Sequence, residues 1–150
     1  MKRISSIKMA KKSDLPRILD LLGEVNLHTQ GVTDHIGDFL QLMEEGKTSS
    51  HLLGRVGLEI YGESALLRSL AVKPEHQGMG YGKSLTKAII QYAKKKKVKT
   101  LFLLTDTAES FFTKAGFKRV ERDAVPPGVK QSVEFTSVCP VSSACMMMTI

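Results

Sequence analysis

The sequence predicts an α/β domain with a mixed β-sheet, and three features of the chain support that prediction. Extended apolar runs alternate with periodic helical segments. A tight turn, Tyr61-Gly62-Glu63-Ser64, joins two of the runs and makes them antiparallel neighbours. A long helix instead separates residues 65–72 from residues 100–104, and a helical crossover makes two strands parallel. Both kinds of pairing in one chain require a mixed sheet.

The elements follow in the order βααβββαβαβ. The first helix is capped by Ser13 or Asp14 and the second by Thr33 or Asp34, because short polar side chains favour that position. Gly54 and Gly57 interrupt one of the strands. The predicted strands are 4–9, 39–43, 51–61, 65–72, 100–104 and 118–122, the predicted helices are 15–25, a short one after residue 33, 80–93 and 107–115, and 129–137 is open between helix and strand.

Length and composition predict one domain spanning residues 1–150. A chain of 150 residues with 42% hydrophobic content can fill a single core. The sequence has no apolar run long enough to span a membrane, and its first 12 residues lack the apolar stretch of a secretory signal. We therefore expect no membrane association and a cytoplasmic location.

The net charge of +7 indicates an anionic ligand more than a nucleic acid. Five of the 22 basic residues lie in one block, at 94–97 and 99, where a helix C-terminus favours exposed lysines. Aromatic residues make up 6% of the chain and Trp is absent, which argues against base stacking. A positive field also attracts a polyanionic cofactor. We expect no nucleic-acid partner.

Cysteine and histidine usage predicts neither a disulfide framework nor a metal site. The only cysteines, Cys139 and Cys145, are too few for a disulfide scaffold and are expected to be small buried hydrophobes. The four histidines show no ligand spacing. Residues 146–148, three consecutive methionines, are expected to pack in the core.

A glycine-rich stretch lies between an apolar strand and the long helix. Gly78, Gly80 and Gly82 stand at alternating positions, so the backbone can adopt positive φ and approach a ligand closely. Successive amides then converge at the positive end of the helix dipole, where a phosphate is favoured. With Lys83 beside them, these glycines predict an anion-binding loop rather than a plain turn.

Three known phosphate-binding patterns compete for this loop. A Walker A motif requires glycine where Gln77 stands, and a dinucleotide fingerprint requires glycine where Lys83 stands. The pattern Gln/Arg-x-x-Gly-x-Gly/Ala is matched in full by Gln77, Gly80 and Gly82. On this motif, and on the preceding Leu-Ala-Val-Lys-Pro-Glu, the chain resembles the GNAT family of N-acetyltransferases.

The resemblance implies the GNAT acyl-CoA N-acyltransferase fold, with acetyl-CoA as co-substrate and no metal. In this family the loop amides hold the pyrophosphate of the cofactor, and a backbone N–H of the preceding strand donates to the thioester oxygen. The side chains of Lys83 and Ser84 are further donors. The implied cofactor-binding residues are Leu70, Val72, Gln77, Gly78, Gly80, Tyr81, Gly82, Lys83 and Ser84.

A second block of resemblance follows the fifth strand. Ala108, Gly116 and Phe117 keep the spacing of the family segment Asn-x-x-Ala-x-x-x-Tyr-x-x-x-Gly-Phe. Thr105 stands in place of the asparagine and is assigned to substrate binding, while Phe112 stands in place of the tyrosine. In relatives that tyrosine protonates the departing thiolate, and a phenyl ring has no proton to give.

Three longer stretches are similar to a narrower branch of the family. Residues 66–72, 103–112 and 134–140 look like the arsenic-resistance-associated N-acetyltransferases of the arsinothricin type. That likeness implies a small acidic amino-acid-like acceptor, with arsinothricin or phosphinothricin as the specific expectation.

Arg68 and Glu59 are the candidate residues for recognising and activating that acceptor. An arginine within an apolar strand needs an anionic partner, which is either Glu59 or Glu63 across the hairpin or the oxyanion of the substrate. Glu59, near the end of a strand, is the candidate general base for the amine, and pairing with Arg68 is its structural alternative.

Two other functions remain open from the sequence. One is a small P-loop nucleotide-binding module, with residues 101–106 as its second motif. The other is a catalytically silent acyl-CoA-binding sensor, which the replacement of tyrosine by Phe112 suggests. The sequence leaves dimerisation open.

Overall fold

The computed structural model describes residues 4–24, 31–45, 50–132, 134–135 and 143–150. In these residues the α/β class with a mixed sheet is confirmed, since helices and strands of both orientations are present. The helices are α1 (Leu15–Glu24), α2 (Val32–His35), α3 (Tyr81–Lys95), α4 (Glu109–Ala115) and α5 (Pro127–Lys130). The strands are β1 (Ile4–Met9), β2 (Phe39–Glu45), β3 (Ser50–Tyr61), β4 (Ser64–Val72), β5 (Thr100–Thr105), β6 (Lys118–Arg119) and β7 (Ala144–Thr149).

The seven strands form one sheet in the order β1-β2-β3-β4-β5-β7-β6. The pairs β1/β2 and β2/β3 are antiparallel, and β4 runs parallel to β5, as the helical crossover predicts. The ladder between β4 and β5 covers three residues, from Ser64 opposite Thr100 to Leu66 opposite Phe102. Both strands continue past the end of that ladder.

The seventh strand is missing from the predicted order. β7 pairs antiparallel with β5 along its whole length, from Ala144 opposite Thr105 to Thr149 opposite Thr100. Its sequence, ACMMMT, has no alternation of polar and apolar residues, and methionine favours helix more than strand. Pairing with β5 determines the extended conformation of these residues, and the sequence pattern does not reveal that partner.

The glycines of β3 do not interrupt it, contrary to the prediction. A Cβ on Gly57 would lie 2.3 Å from the ring of Phe39, and one on Gly54 would lie 2.7 Å from the carbonyl oxygen of Ala71. Both positions are therefore points of close packing, where the strand continues because no side chain is present.

Smaller differences concern the ends of elements. The second helix follows Gly31 in a left-handed conformation, so neither Thr33 nor Asp34 is its cap. The predicted strand 118–122 ends at Arg119 and a 3₁₀ turn follows it. Gly116 ends α4 with φ +111°, directly after the predicted last residue of that helix, Ala115. The predictions for 25–30, 133 and 136–142 fall outside the described residues.

The backbone divides into two compact units, Met1–Gly57 with Ser69–Ile89 and Leu58–Arg68 with Ile90–Ile150. The expectation of one domain over residues 1–150 stays a prediction. The core of the first unit packs the apolar face of α1 against β2, with Ile18, Leu22 and Phe39 all fully buried. The core of the second unit contains Leu66, Phe102, Val125, Val129 and Cys145.

The C-terminal end of α3 is solvated, as predicted. Residues 94–97 are exposed, and Lys97 closes the helix with φ +64°. Lys99 pairs at 3.5 Å with Glu63 on an exposed surface. In the part of the chain that the structure describes, no helix is long and apolar enough to cross a membrane.

Candidate functional site

The glycine-rich loop leaves β4 through a short 3₁₀ turn at Pro74–His76. The side-chain amide of Gln77 donates a hydrogen bond to the carbonyl oxygen of Val72 at 3.0 Å, which ties the loop to the end of the strand. The ring centroids of His76 and Tyr81, which flank Gly78 and Gly80 in the sequence, lie 6.2 Å apart. The shape of the turn thus depends on the side chain of Gln77 and not only on glycine.

Two of the three glycines adopt the backbone conformation that the sequence predicts. Gly78 and Gly80 both have φ +85°, a conformation that residues with a Cβ rarely adopt. A Cβ added to either would meet no atom within 4 Å, so open space lies where a side chain would project. Gly82 differs, because it lies in the first turn of α3.

The first turn of α3 presents backbone donors beside these glycines. The first intrahelical bond is the one from the amide of Ser84 to the carbonyl of Gly80, at 3.1 Å. The amides of Tyr81, Gly82 and Lys83 precede it and have no acceptor inside the helix. The hydroxyl of Ser84 donates to the carbonyl of Gly80 at 3.2 Å, so this side chain serves its own helix.

Strand β4 has an irregular backbone at Ser69. This residue has φ +60°, which is unusual for a residue with a side chain. Leu66, Leu67 and Arg68 are consecutive buried residues, whereas Leu70 and Val72 are half-buried. The irregularity at Ser69 thus lies between Arg68 and the residues assigned to the cofactor, Leu70 and Val72.

Arg68 is a fully buried cation whose partner is Glu59, one of the two carboxylates expected from the sequence. Its Nη1 donates to Oε2 of Glu59 at 2.7 Å, and the two side chains are 0% and 1% exposed. Glu63, the other candidate partner, pairs with Lys99 instead. The structural alternative for Arg68 is thus confirmed, while its role toward a substrate stays a prediction.

Glu59 lies among three donors. The hydroxyl of Tyr61 donates to its Oε1, and Ser132 and Arg68 supply further hydrogen bonds. Burial alone would raise the pKa of Glu59, but these three donors outweigh that effect and lower the pKa below its ordinary 4.5. Burial, together with the adjacent Glu59 carboxylate, raises the pKa of the Tyr61 hydroxyl.

Sequence reasoning missed a second carboxylate in this cluster. Oε2 of Glu134 lies 3.8 Å from Nη2 of Arg68, and the Glu134 side chain is 9% exposed. The backbone amide of Glu134 donates to the hydroxyl of Ser132 at 3.1 Å, which fixes its position. Glu134 lies within the segment 129–137, which was open between helix and strand, so no periodic pattern assigned it to a buried face.

The second block of resemblance has structural roles in the described residues. The hydroxyl of Thr105 accepts a hydrogen bond from the amide of Ala108 at 3.0 Å and so shapes the turn before α4. Phe112 is 5% exposed and packs edge-on against Phe111 and Phe117, with ring centroids 5.1 and 5.6 Å away. The assignment of Thr105 to substrate binding stays a prediction.

The thiol of Cys145 is free and buried, and burial raises its pKa, as expected for a packed hydrophobe. Met146 is buried beside it. Cys139 and His28 lie outside the described residues. Among those the structure describes, no three His, Cys, Asp or Glu side chains are grouped to hold a metal ion.

Comparison with known proteins gives one family match and many structural likenesses. The profile of the acetyltransferase (GNAT) domain matches residues 38–119. The amino-acid acetyltransferase of Neisseria meningitidis is 30% identical over 132 residues, which cover 81% of this chain and 29% of the relative. The chain thus spans under a third of the length of the curated relatives it matches.

Two solved structures illustrate the likeness. N-acetylglutamate synthase from Neisseria gonorrhoeae, complexed with coenzyme A and N-acetyl-glutamate, has a TM-score of 0.80 at 25% identity, covering 99% of this chain and 36% of that one. The ribosomal-protein-S18-alanine N-acetyltransferase from Escherichia coli has a TM-score of 0.72 at 18% identity, covering 98% and 94%. The second likeness shows the fold alone.

Proposed function

Because the chain belongs to the GNAT acetyltransferase family, we propose that it transfers acetyl from acetyl-CoA to the α-amine of a small amino-acid-like substrate. The observation that carries this proposal is the loop between β4 and α3. It combines two glycines in positive φ with open space beside them and backbone donors at a helix N-terminus. Membership of this family also argues against the alternative of a P-loop nucleotide-binding module.

The loop fits the pyrophosphate of the cofactor. The amides of Tyr81, Gly82 and Lys83 are the donors, and the space beside Gly78 and Gly80 admits the ligand where side chains would block it. The exposed Lys83 adds a positive charge. Gln77 contributes indirectly, since its side chain holds the loop to Val72.

The backbone N–H groups near Leu70 and Val72 are suited to donate hydrogen bonds to the acyl end of the cofactor. The ladder between β4 and β5 ends at Leu66, so this later part of β4 forms no ladder pairs with β5. Acetyl-CoA supplies an activated thioester, whose oxygen needs a donor as charge develops on it. Leu70 and Val72 therefore remain assigned to the cofactor.

Gly80→Glu tests this assignment. We expect it to abolish binding of acetyl-CoA, measured by titration calorimetry, because the carboxylate fills the open space and repels phosphate. Gly62→Glu is the matched control, since Gly62 also has positive φ, at +66°, with open space around it. Unchanged affinity in Gly80→Glu, or equal loss in both variants, would count against the loop.

The names of the relatives support an amino acid as acceptor. The curated relatives are amino-acid acetyltransferases, and one structural neighbour contains N-acetyl-glutamate. The resemblance to the arsenic-resistance branch narrows the expectation to arsinothricin or phosphinothricin, both glutamate analogues. Comparing kcat/KM for L-glutamate, phosphinothricin and arsinothricin, by release of free thiol, decides among them.

A silent acyl-CoA-binding sensor is the second candidate, because Phe112 is buried among aromatic rings and has no hydroxyl. Such a protein would bind acetyl-CoA without turning it over. Continued thiol release over many turnovers with an amino-acid substrate would exclude it. The cytoplasmic location, the absence of a nucleic-acid partner and the state of assembly stay predictions.

A further inference from the structure

Two lysines stand on one exposed face of α3, directly beyond the glycine-rich loop. Lys83 and Lys87 are four residues apart, which places their side chains one above the other on the helix surface. Both are exposed, whereas Leu85 and Ile89, on the opposite side of the helix, are buried in the core. The pair therefore presents two positive charges to solvent near the N-terminus of α3.

No negative charge in the described part of the chain compensates these lysines. Neither side chain forms an ion pair or a hydrogen bond with another described residue. Helix α3 contains no aspartate or glutamate, and Glu75, in the turn before the loop, pairs with neither lysine. Like charges four residues apart repel each other, and the helix dipole disfavours a cation in the first turn, where Lys83 lies. The arrangement is thus unfavourable in the chain alone and becomes favourable beside an anion.

The two other lysines of α3 do not share this property. Lys94 and Lys95 lie in the last turn of the helix, where the negative end of the dipole favours cations. Their position is favourable without any ligand, so the helix itself accounts for them. The lysines near the N-terminus are different, because only an anion outside the described chain offsets their repulsion.

We propose that Lys87 binds the 3′-phosphate of coenzyme A and makes the site selective for acyl donors that carry this group. The inference rests on the proposed function, which assigns the pyrophosphate to the amides of residues 81–83 beside Lys83. One ribose separates the 3′-phosphate from the pyrophosphate, and Lys87 lies about 6 Å farther along the helix axis than Lys83. A phosphate monoester carries close to two negative charges at neutral pH, so a cation beyond the loop stabilises it.

Titration calorimetry with coenzyme A and with dephospho-coenzyme A, which lacks only the 3′-phosphate, tests the role of Lys87. In low salt, where the pairing is least screened, we expect the wild type to bind coenzyme A about three- to fivefold more tightly than dephospho-coenzyme A. Lys87→Gln should lose that preference, and Lys87→Arg, which keeps the charge, should retain it. Lys94→Gln is the matched control, because it removes a lysine from the other end of the same helix and should also retain the preference.

A wild-type preference below about twofold, or a larger preference kept by Lys87→Gln, overturns the proposal. Urea unfolding of the ligand-free chains tests for a structural role instead. We expect Lys87→Gln to be no less stable than the wild type, because the two residues have similar helix propensity and the variant removes the repulsion from Lys83. A less stable variant would show that Lys87 has a partner within the chain and would also overturn the proposal. If the wild type binds neither ligand, the proposed function itself fails.

Discussion

At the scale of single residues, the Glu59–Arg68 pair is a buried, hydrogen-bonded ion pair of the second unit. Both side chains are removed from water, and three donors converge on one carboxylate. A buried ion pair is not a strong source of stability in itself, but breaking one partner leaves the other charge uncompensated. The pair is therefore expected to be costly to alter and poorly suited to take up a proton from a substrate.

Glu59→Gln should destabilise the fold by about 3 kcal/mol near neutral pH, because Arg68 loses its hydrogen-bonded counter-charge. The pKa of Glu59 is lower in the folded state than its ordinary 4.5, so its contribution is present above that value and is lost as pH falls through the folded pKa. Urea unfolding at several pH values measures both effects.

The difference in unfolding free energy between wild type and Glu59→Gln should therefore be largest above about pH 5 and shrink toward pH 3. Asp14, whose pKa is also lowered, is present in both chains and does not contribute to the difference. A difference that stayed constant over this range would show that the charge of Glu59 is not what stabilises the fold.

At the scale of elements, the glycines of β3 determine how closely its neighbours pack against it. Gly57 faces the ring of Phe39 on β2, and Gly54 faces the backbone of β4 and the side chain of Leu85. A small residue at each point allows neighbouring elements to approach the strand closely. The strand therefore tolerates its glycines because packing compensates their low strand propensity.

Gly57→Ala should lower the free energy of unfolding by about 1–3 kcal/mol, since its Cβ would overlap the Phe39 ring at 2.3 Å. Gly23→Ala in α1 is the control, because no atom lies within 4 Å of its Cβ and alanine favours a helix. Urea denaturation measures both. If the two substitutions had the same effect, the close contact with Phe39 would be unimportant.

Local patterns predicted most of these elements. The turn at Gly62, the crossover helix α3 and the parallel pairing of β4 with β5 follow from turn chemistry, helical period and chain order. Gly57 and β7 were misread because their conformations depend on a partner distant in the chain, Phe39 in one case and β5 in the other. A pattern in a single sequence does not show which distant segments of the chain come into contact.

The same limit applies to the site. The cofactor loop is local, so Gln77, Gly78 and Gly80 could be identified from spacing alone. The cluster at Arg68 is assembled from segments far apart in the chain, and only the buried arginine signalled it. Glu134 was not recognised as part of the cluster, because the stretch 129–137 that contains it was open between helix and strand.

At the scale of the whole molecule, the net charge of +7 should assist binding of a polyanionic cofactor. Raising NaCl from about 0.05 to about 0.5 M should weaken the affinity for acetyl-CoA roughly three- to tenfold, because salt screens the attraction. Titration calorimetry at each concentration measures the change, and sucrose at equal osmolality is the control. An affinity independent of salt would mean that only short-range contacts in the loop matter.

Gly78 and Gly80 both adopt φ +85°. Any residue with a Cβ would be strained in this conformation, so the shape of the loop depends on glycine at both positions. For protein engineering, Met79 therefore differs from the glycines beside it. Substitution of Met79, which is 61% exposed, should leave the loop intact, while the glycines on either side of it must be retained.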